Sequence, residues 1–249
     1  MENPEIAGLV RLMMARTRFV DERLLRAVQQ GARQVVILGA GFDSRAYRFR
    51  EVLGQVKFFE LDTPETQEYK KQRISAVLGA PPPNLIYAPI NFRTDSLESV
   101  LERAECHRDV PTFFCWEGVS MYIPEAGVRA TLSSLKFYSG PGTTLVMDYT
   151  TQESIQALMD AHRAPQFRFA ATWGEPWIFG VPEAGVQDFF AQLGYDVVES
   201  LHMVSQEATT RYATRADGTV VGSSVGLWDS AQQGARIGYT LVELKVGRA

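Results

Sequence analysis

Apolar and polar positions along this chain follow two rhythms, a helical recurrence and short unbroken apolar runs. Over residues 11–30 the apolar side chains Leu12, Phe19, Val20, Leu24, Leu25 and Val28 recur with charged residues between them, which predicts a helix, and Gly31 suits its end. Gln34-Val35-Val36-Ile37-Leu38 is a short β-branched run that leads directly into Gly39-Ala40-Gly41, the pattern of a buried parallel strand stopping at a flexible turn. The same alternation continues with strands over residues 56–61, 85–90, 112–116 and 143–148 and helices over 64–78, 96–105 and 124–135. Pro81-Pro82-Pro83 breaks the chain before the third strand, Pro124 sits in the first turn of its helix, and Gly140-Pro141-Gly142 turns the chain into the fifth strand.

Beyond the fifth strand the rhythm changes. Residues 151–182 hold a helix and then an aromatic-rich stretch with Phe167, Phe169, Trp173, Trp177 and Phe179, read as an inserted cap. A helix over 183–193, a strand over 196–200, a Thr/Gly-rich excursion through 205–234 and a last strand over 239–246 complete the chain, and the two closing strands suit an antiparallel pair at one edge. The expectation is an α/β fold with a mostly parallel open sheet, an antiparallel edge and helices on both faces, as a single domain over residues 1–249 with a small cap at about 151–182.

Composition narrows the function without naming it. Hydrophobic residues at 45% and charged residues at 22% are ordinary globular usage, which argues against a disordered or fibrous chain. A formal charge of -4, from 25 Lys plus Arg against 29 Asp plus Glu, gives no electrostatic reason to expect a nucleic-acid partner. Cys106 and Cys115 lack metal-site spacing, and the second falls in an expected strand, so a free core thiol and no metal are expected. Met1-Glu2-Asn3-Pro4-Glu5 is acidic with no signal-type apolar segment after it, and no apolar run approaches the roughly 20 residues of a membrane span. The expected setting is cytoplasmic, away from the membrane, with a homodimer left open.

In a doubly wound sheet the ligand lies beyond the carboxyl ends of the strands, where strand order reverses. Those ends are polar here: Gly39-Ala40-Gly41-Phe42-Asp43-Ser44-Arg45, then Glu60-Leu61-Asp62, Asn91-Phe92-Arg93 and Glu117-Gly118. Gly39 and Gly41 let backbone approach a ligand, while Ser44 departs from the G-x-G-x-x-G dinucleotide fingerprint and disfavours a nicotinamide cofactor. Asp62 suits two ribose hydroxyls, or serves as an acid ahead of the helix opened by Pro64. Asn91 offers an acceptor and a donor to adenine beside the apolar wall of Phe92, or is a turn residue. Glu117 suits the ammonium or sulfonium end of a cofactor, or caps a helix.

Val35-Val36-Ile37-Leu38-Gly39-Ala40-Gly41-Phe42-Asp43-Ser44-Arg45-Ala46-Tyr47-Arg48, Phe59-Glu60-Leu61-Asp62-Thr63-Pro64 and Pro111-Thr112-Phe113-Phe114-Cys115-Trp116-Glu117-Gly118-Val119-Ser120-Met121-Tyr122 together resemble the leucine carboxyl methyltransferase family and its bacterial branch of O-methyltransferases, over roughly residues 13–200. The resemblance implies a class I methyltransferase Rossmann-like fold, S-adenosyl-L-methionine as cofactor and carboxyl O-methylation, on a small-molecule or peptide carboxylate. It places Arg16 on the cofactor carboxylate, with Arg18 as a substitute, Gly39 in the glycine loop, Asp62 on the ribose, Asn91 with Phe92 on adenine, and Glu117 after the fourth strand. Two departures stand out: the family usually carries Asp where Asn91 stands, and 38 residues precede Gly39 where relatives have a longer segment closing over the cofactor.

An ionised carboxylate acceptor needs no general base, in keeping with the scatter of His107, His162 and His202. A phenolic or polyketide hydroxyl acceptor would want such a base, and a cofactor-binding chain without catalysis is the further alternative. Tyr122, five residues after Glu117, is the candidate to position the acceptor through its hydroxyl or else packs on the sheet. Trp173 and Trp177 are the rings of the cap suited to an aromatic-lined pocket.

Overall fold

The computed structural model describes residues 4–92, 94–160, 176–203, 205–221 and 238–247. Helix α1 spans Pro4–Gln29, seven residues further toward the N-terminus than the periodicity indicates, with proline in its first turn where a missing N–H costs nothing. The strands are β1 Gln34–Leu38, β2 Lys57–Asp62, β3 Leu85–Pro89, β4 Thr112–Trp116, β5 Thr144–Thr150, β6 Tyr195–His202 and β7 Tyr239–Val246. Between them run α2 Arg45–Arg48, α3 Pro64–Leu78, α4 Leu97–Arg103, α5 Glu125–Phe137, α6 Gln152–Asp160, α7 Val186–Gln192 and α8 Gln206–Tyr212. Helix α3 has the limits expected: the Thr63 hydroxyl accepts the Thr66 N–H at its start, and Gly79 at φ 77° follows its end. Pro124 stands one residue outside α5, as its cap rather than in its first turn.

The seven strands form one sheet in the order β3-β2-β1-β4-β5-β7-β6. All neighbouring pairs from β3 to β5 are parallel; β7 lies antiparallel to both β5 and β6, which is the antiparallel edge expected of the closing strands. Alternate side chains of each central strand enter opposite layers, so a strand covered on both faces reads as an unbroken apolar run. Val35 and Ile37 pack with Phe113, Cys115 and the α1 residues Phe19, Val20 and Leu24. Val36 and Leu38 pack on the other face with Phe114, Trp116, Leu101 of α4 and Leu132 of α5. Strand order reverses between β1 and β4, so the loops after these two strands bound the crevice where a ligand is expected.

Part of the cap reading falls outside the described residues, including Phe167, Phe169, Trp173 and His162, as does the stretch 222–237 of the Thr/Gly-rich excursion. Within the described part, Ile178 and Phe179 donate backbone N–H groups to the Met121 carbonyl, and Val181 to that of Thr150, so residues 178–181 are laid along the loop after β4 and the end of β5. Phe179 is buried in the second layer and Trp177 packs against the first. Helix α2 and the single turn Ser120–Tyr122 had no counterpart in the periodicity, since each is too short to show one, and α8 lies in the stretch read as a Thr/Gly-rich excursion. Among the described residues no helix is long and apolar enough to cross a membrane.

Candidate active site

The glycine turn is built by backbone geometry. Gly39 has φ 64° and Gly41 φ 44°, left-handed values that side chains disfavour, and a Cβ on Gly39 would come within 2.5 Å of Val119 Cγ2. The Ala40 N–H bonds the Leu61 carbonyl and the Gly41 N–H bonds Asp62 Oδ2 at 2.6 Å, so the turn is tied to the end of β2. Asp62 Oδ1 accepts the N–H of Thr63 at 2.7 Å.

Beyond the turn lies a connected set of charges. Glu117, just past β4, pairs with Arg16 Nε of α1 at 2.5 Å and with Arg45 Nη2 at 3.1 Å. Arg45 is buried and is also held by Asp21 at 2.8 Å and by Asp43. Burial works against its charge, but Cys115 and the acids Asp43, Glu117 and Asp21 oppose this and raise its pKa above the ordinary value. Arg16 is likewise opposed by burial and held charged by Tyr239, Glu117 and Asp148. Its Nη1 donates to the Tyr239 hydroxyl at 2.9 Å, and Asp148 Oδ2 lies 4.0 Å from the same nitrogen.

These groups border a cavity of about 620 Å³, within the range of small-molecule sites. Its lining includes Arg16, Gly39, Gly41, Glu117 and Tyr122, five of the residues singled out from sequence. Asp62 is linked to it through the Gly41 N–H without lining it. Asn91 and Phe92 are not among the lining residues: the Asn91 N–H donates to Asp95 Oδ2 at 2.9 Å in a turn, and Phe92 packs against the second core layer. Tyr122 does both things weighed for it, lining the cavity and packing on the first layer. Trp177 lines it as well, whereas His107 and His202 do not.

Arg45, Asp43, Asp148 and Tyr239 were not assigned roles from sequence. Arg45 and Asp43 stand inside the glycine-loop motif, and Asp148 is an acid at a strand end, so the strand-end argument extended to β5 would have found it. Tyr239 carries no local signal, because its partners Arg16 and Asp148 are 223 and 91 positions away.

Residues 1–136 match the leucine carboxyl methyltransferase family. The chain belongs to that family. YktD of Bacillus subtilis, named as a candidate S-adenosyl-L-methionine-dependent methyltransferase, is 32% identical over 165 residues, covering 66% of this chain and 54% of its own length. A relative from Mycolicibacterium gilvum, named in the same way, is 34% identical over 148 residues, covering 59% of this chain and 48% of its own. The leucine carboxyl methyltransferase family member described here therefore spans about half the length of these curated relatives. In overall fold it is similar to geranyl diphosphate methyltransferase, with a TM-score of 0.57, 10% identity and coverage of 91% of this chain and 84% of that one. A sarcosine dimethylglycine methyltransferase candidate from Galdieria sulphuraria has a TM-score of 0.58, 10% identity and coverage of 92% and 84%. The sheet is thus that of class I methyltransferases, as expected from the sequence.

Proposed function

We propose that this chain is an S-adenosyl-L-methionine-dependent O-methyltransferase whose acceptor is a carboxylate, carried by a small molecule or a peptide C-terminus, and that residues 1–249 form one methyltransferase domain. The observation that carries this reading is the Arg16–Glu117 pair on the wall of a cavity whose floor is the Gly39-Ala40-Gly41 turn. An amino-acid end bears a carboxylate and an ammonium, and Arg16 and Glu117 present the two opposite charges side by side. A guanidinium fork suits the first and a carboxylate the second. Gly41 faces open space where a Cβ would stand, and Gly39 lets the turn pack on Val119 beside it, so the donor set and the backbone turn both fit the cofactor. The names of the curated relatives support the same cofactor.

When bound, S-adenosyl-L-methionine supplies a methyl group already activated on a sulfonium. The chain's own task is then to orient an oxygen nucleophile and to exclude water. Arg16, Arg45 and Arg48 line the cavity beside Asp43 and Glu117, and Asp21 and Asp148 pair with the same arginines from behind the lining, so the site offers an anionic acceptor guanidinium donors rather than a net positive field. Among the described residues no histidine lines the cavity, and an ionised carboxylate needs no base. We assign Arg16 and Glu117 to the amino-acid end, Gly39 and Gly41 to close backbone approach, Asp62 to the ribose, Asn91 and Phe92 to adenine, and Tyr122 to positioning the acceptor.

The test pairs calorimetry with S-adenosylhomocysteine and with NAD against methyl transfer from labelled S-adenosyl-L-methionine to matched panels of carboxylic acids and phenols. Binding of S-adenosylhomocysteine alone, with base-labile methyl ester as product, is the expected result. Transfer confined to phenols would overturn the acceptor class, and binding of NAD alone would overturn the cofactor.

A further inference from the structure

Asp148 and Tyr239 have no place in the assignments above, yet both are buried, Tyr239 lining the cavity and bonding Arg16, and Asp148 behind it bonding the backbone next to Glu117. Asp148, near the end of β5, is fully buried. Its Oδ2 accepts two hydrogen bonds, one from the Gly118 N–H at 2.7 Å and one from the Tyr239 hydroxyl. Tyr239 opens β7 on the neighbouring strand, and its oxygen accepts from Arg16 Nη1 at 2.9 Å. The direction of this relay is fixed by chemistry: a guanidinium only donates and an ionised carboxylate only accepts, so the hydroxyl must take from one and give to the other.

One carboxylate oxygen therefore holds a neighbour of each half of the ion pair. Through Tyr239 it sets Arg16, and through the Gly118 N–H it sets the backbone beside Glu117. Fold stability gives this acid little reason to be here. Its second oxygen, Oδ1, has no hydrogen-bond partner among the described residues, and burial pushes its carboxyl up to about 6 although Arg16 and Tyr239 pull it down. A buried acid so placed costs stability that a neutral side chain would not.

We propose that Asp148 and Tyr239 are positioning residues that hold Arg16 and Glu117 at the spacing needed to select a ligand end carrying both a carboxylate and an ammonium. The inference rests on the reading of Arg16 and Glu117 given under the proposed function. Asp148 is faced by Arg16 of α1, by Cys115 of β4 and Glu117 after it, and by Tyr239 of β7. Burial drives the Cys115 thiol and the Tyr239 phenol well up, so neither loses its proton in the range where Asp148 changes charge. Ionised Asp148 draws the Tyr239 proton and keeps the hydroxyl lone pair turned to Arg16. Protonation removes that pull, so affinity for the amino-acid end falls as pH drops through about 6.

The experiment compares two probes on the full chain: S-adenosylhomocysteine, and 5′-methylthioadenosine, which keeps the nucleoside and sulfur but lacks the charged amino-acid end. In Tyr239→Phe, which keeps the buried ring, Kd for S-adenosylhomocysteine should rise tenfold or more while Kd for 5′-methylthioadenosine stays within twofold. Asp148→Asn should flatten the loss of S-adenosylhomocysteine affinity that wild type shows on acidification. Equal losses for the two probes would mean general damage to the fold and overturn the proposal, as would unchanged affinity in Tyr239→Phe or an unaltered pH profile in Asp148→Asn. Wild type that binds neither probe would instead remove the proposed function itself.

Discussion

The two flanks of the crevice at the strand ends are built by different means. On the side of β4, β5 and α1, the groups Arg16, Arg45, Glu117, Asp148 and Tyr239 hold one another side chain to side chain, through partners drawn from distant parts of the chain. On the side of β2 and β3, Asp62 and Asn91 are tied to nearby backbone or to a turn four residues long. Under the proposed assignments the charged groups are set in advance by the whole fold, where fixed partners cost no reordering when a ligand arrives. The residues proposed for the nucleoside are held instead by bonds to backbone at the strand ends and in a short turn. Substitutions on the two flanks should therefore differ in size and in kind.

The largest effect is expected at the junction of the flanks. Gly39→Arg places a Cβ 2.5 Å from Val119 Cγ2 at a φ of 64°, and drives a long charged side chain into the turn that joins β1 to both sides. Binding of S-adenosylhomocysteine should be lost altogether while far-ultraviolet circular dichroism stays close to wild type. Normal binding by this variant would move the site away from the glycine turn.

Next in size is Glu117→Ala, which breaks the preorganised flank alone. It removes an anion shared by Arg16 and the buried Arg45, and breaking a buried pair costs roughly 3–5 kcal/mol. Arg45 keeps Asp21 and Asp43, so the loss should sit at about 3 kcal/mol, the low end of that range, in urea unfolding. A loss below about 0.5 kcal/mol, the scale of an exposed pair, would show that this flank is no more built than the other.

The two flanks also differed in how far they were legible in sequence. Strand limits for β1 and β4, the limits of α3 and the antiparallel closing pair follow from runs and caps that lie within a few residues of one another. Asp62, Asn91 and the glycine turn were readable because each stands at or just after the end of a strand whose apolar run is plain in the sequence. The charged flank was half legible. Glu117 came from the strand-end argument and Arg16 from the family resemblance, while Arg45 and Asp148 were in view without a role and Tyr239 was invisible. A hydroxyl that bonds a residue 223 positions away leaves no periodicity, spacing or cap to detect. The short turn that carries Tyr122 and helix α2 were missed on the same physical ground, since three or four residues cannot display a helical repeat.

The smallest effect is expected on the local flank, where this chain has Asn91 in place of the Asp usual in the family. Restoring that acid with Asn91→Asp sets a second carboxylate beside Asp95, whose own carboxyl is held below the usual range first by the Asn91 N–H and then by Thr94. Both positions are exposed, so water and salt screen the repulsion and the turn keeps its backbone bonds. Kd should change by less than about threefold, and by the same factor for S-adenosylhomocysteine and 5′-methylthioadenosine, since an adenine-side residue does not sense the amino-acid end. A change confined to S-adenosylhomocysteine would mean that the flanks communicate. That outcome would turn the local flank into part of the charged one and dissolve the contrast between them.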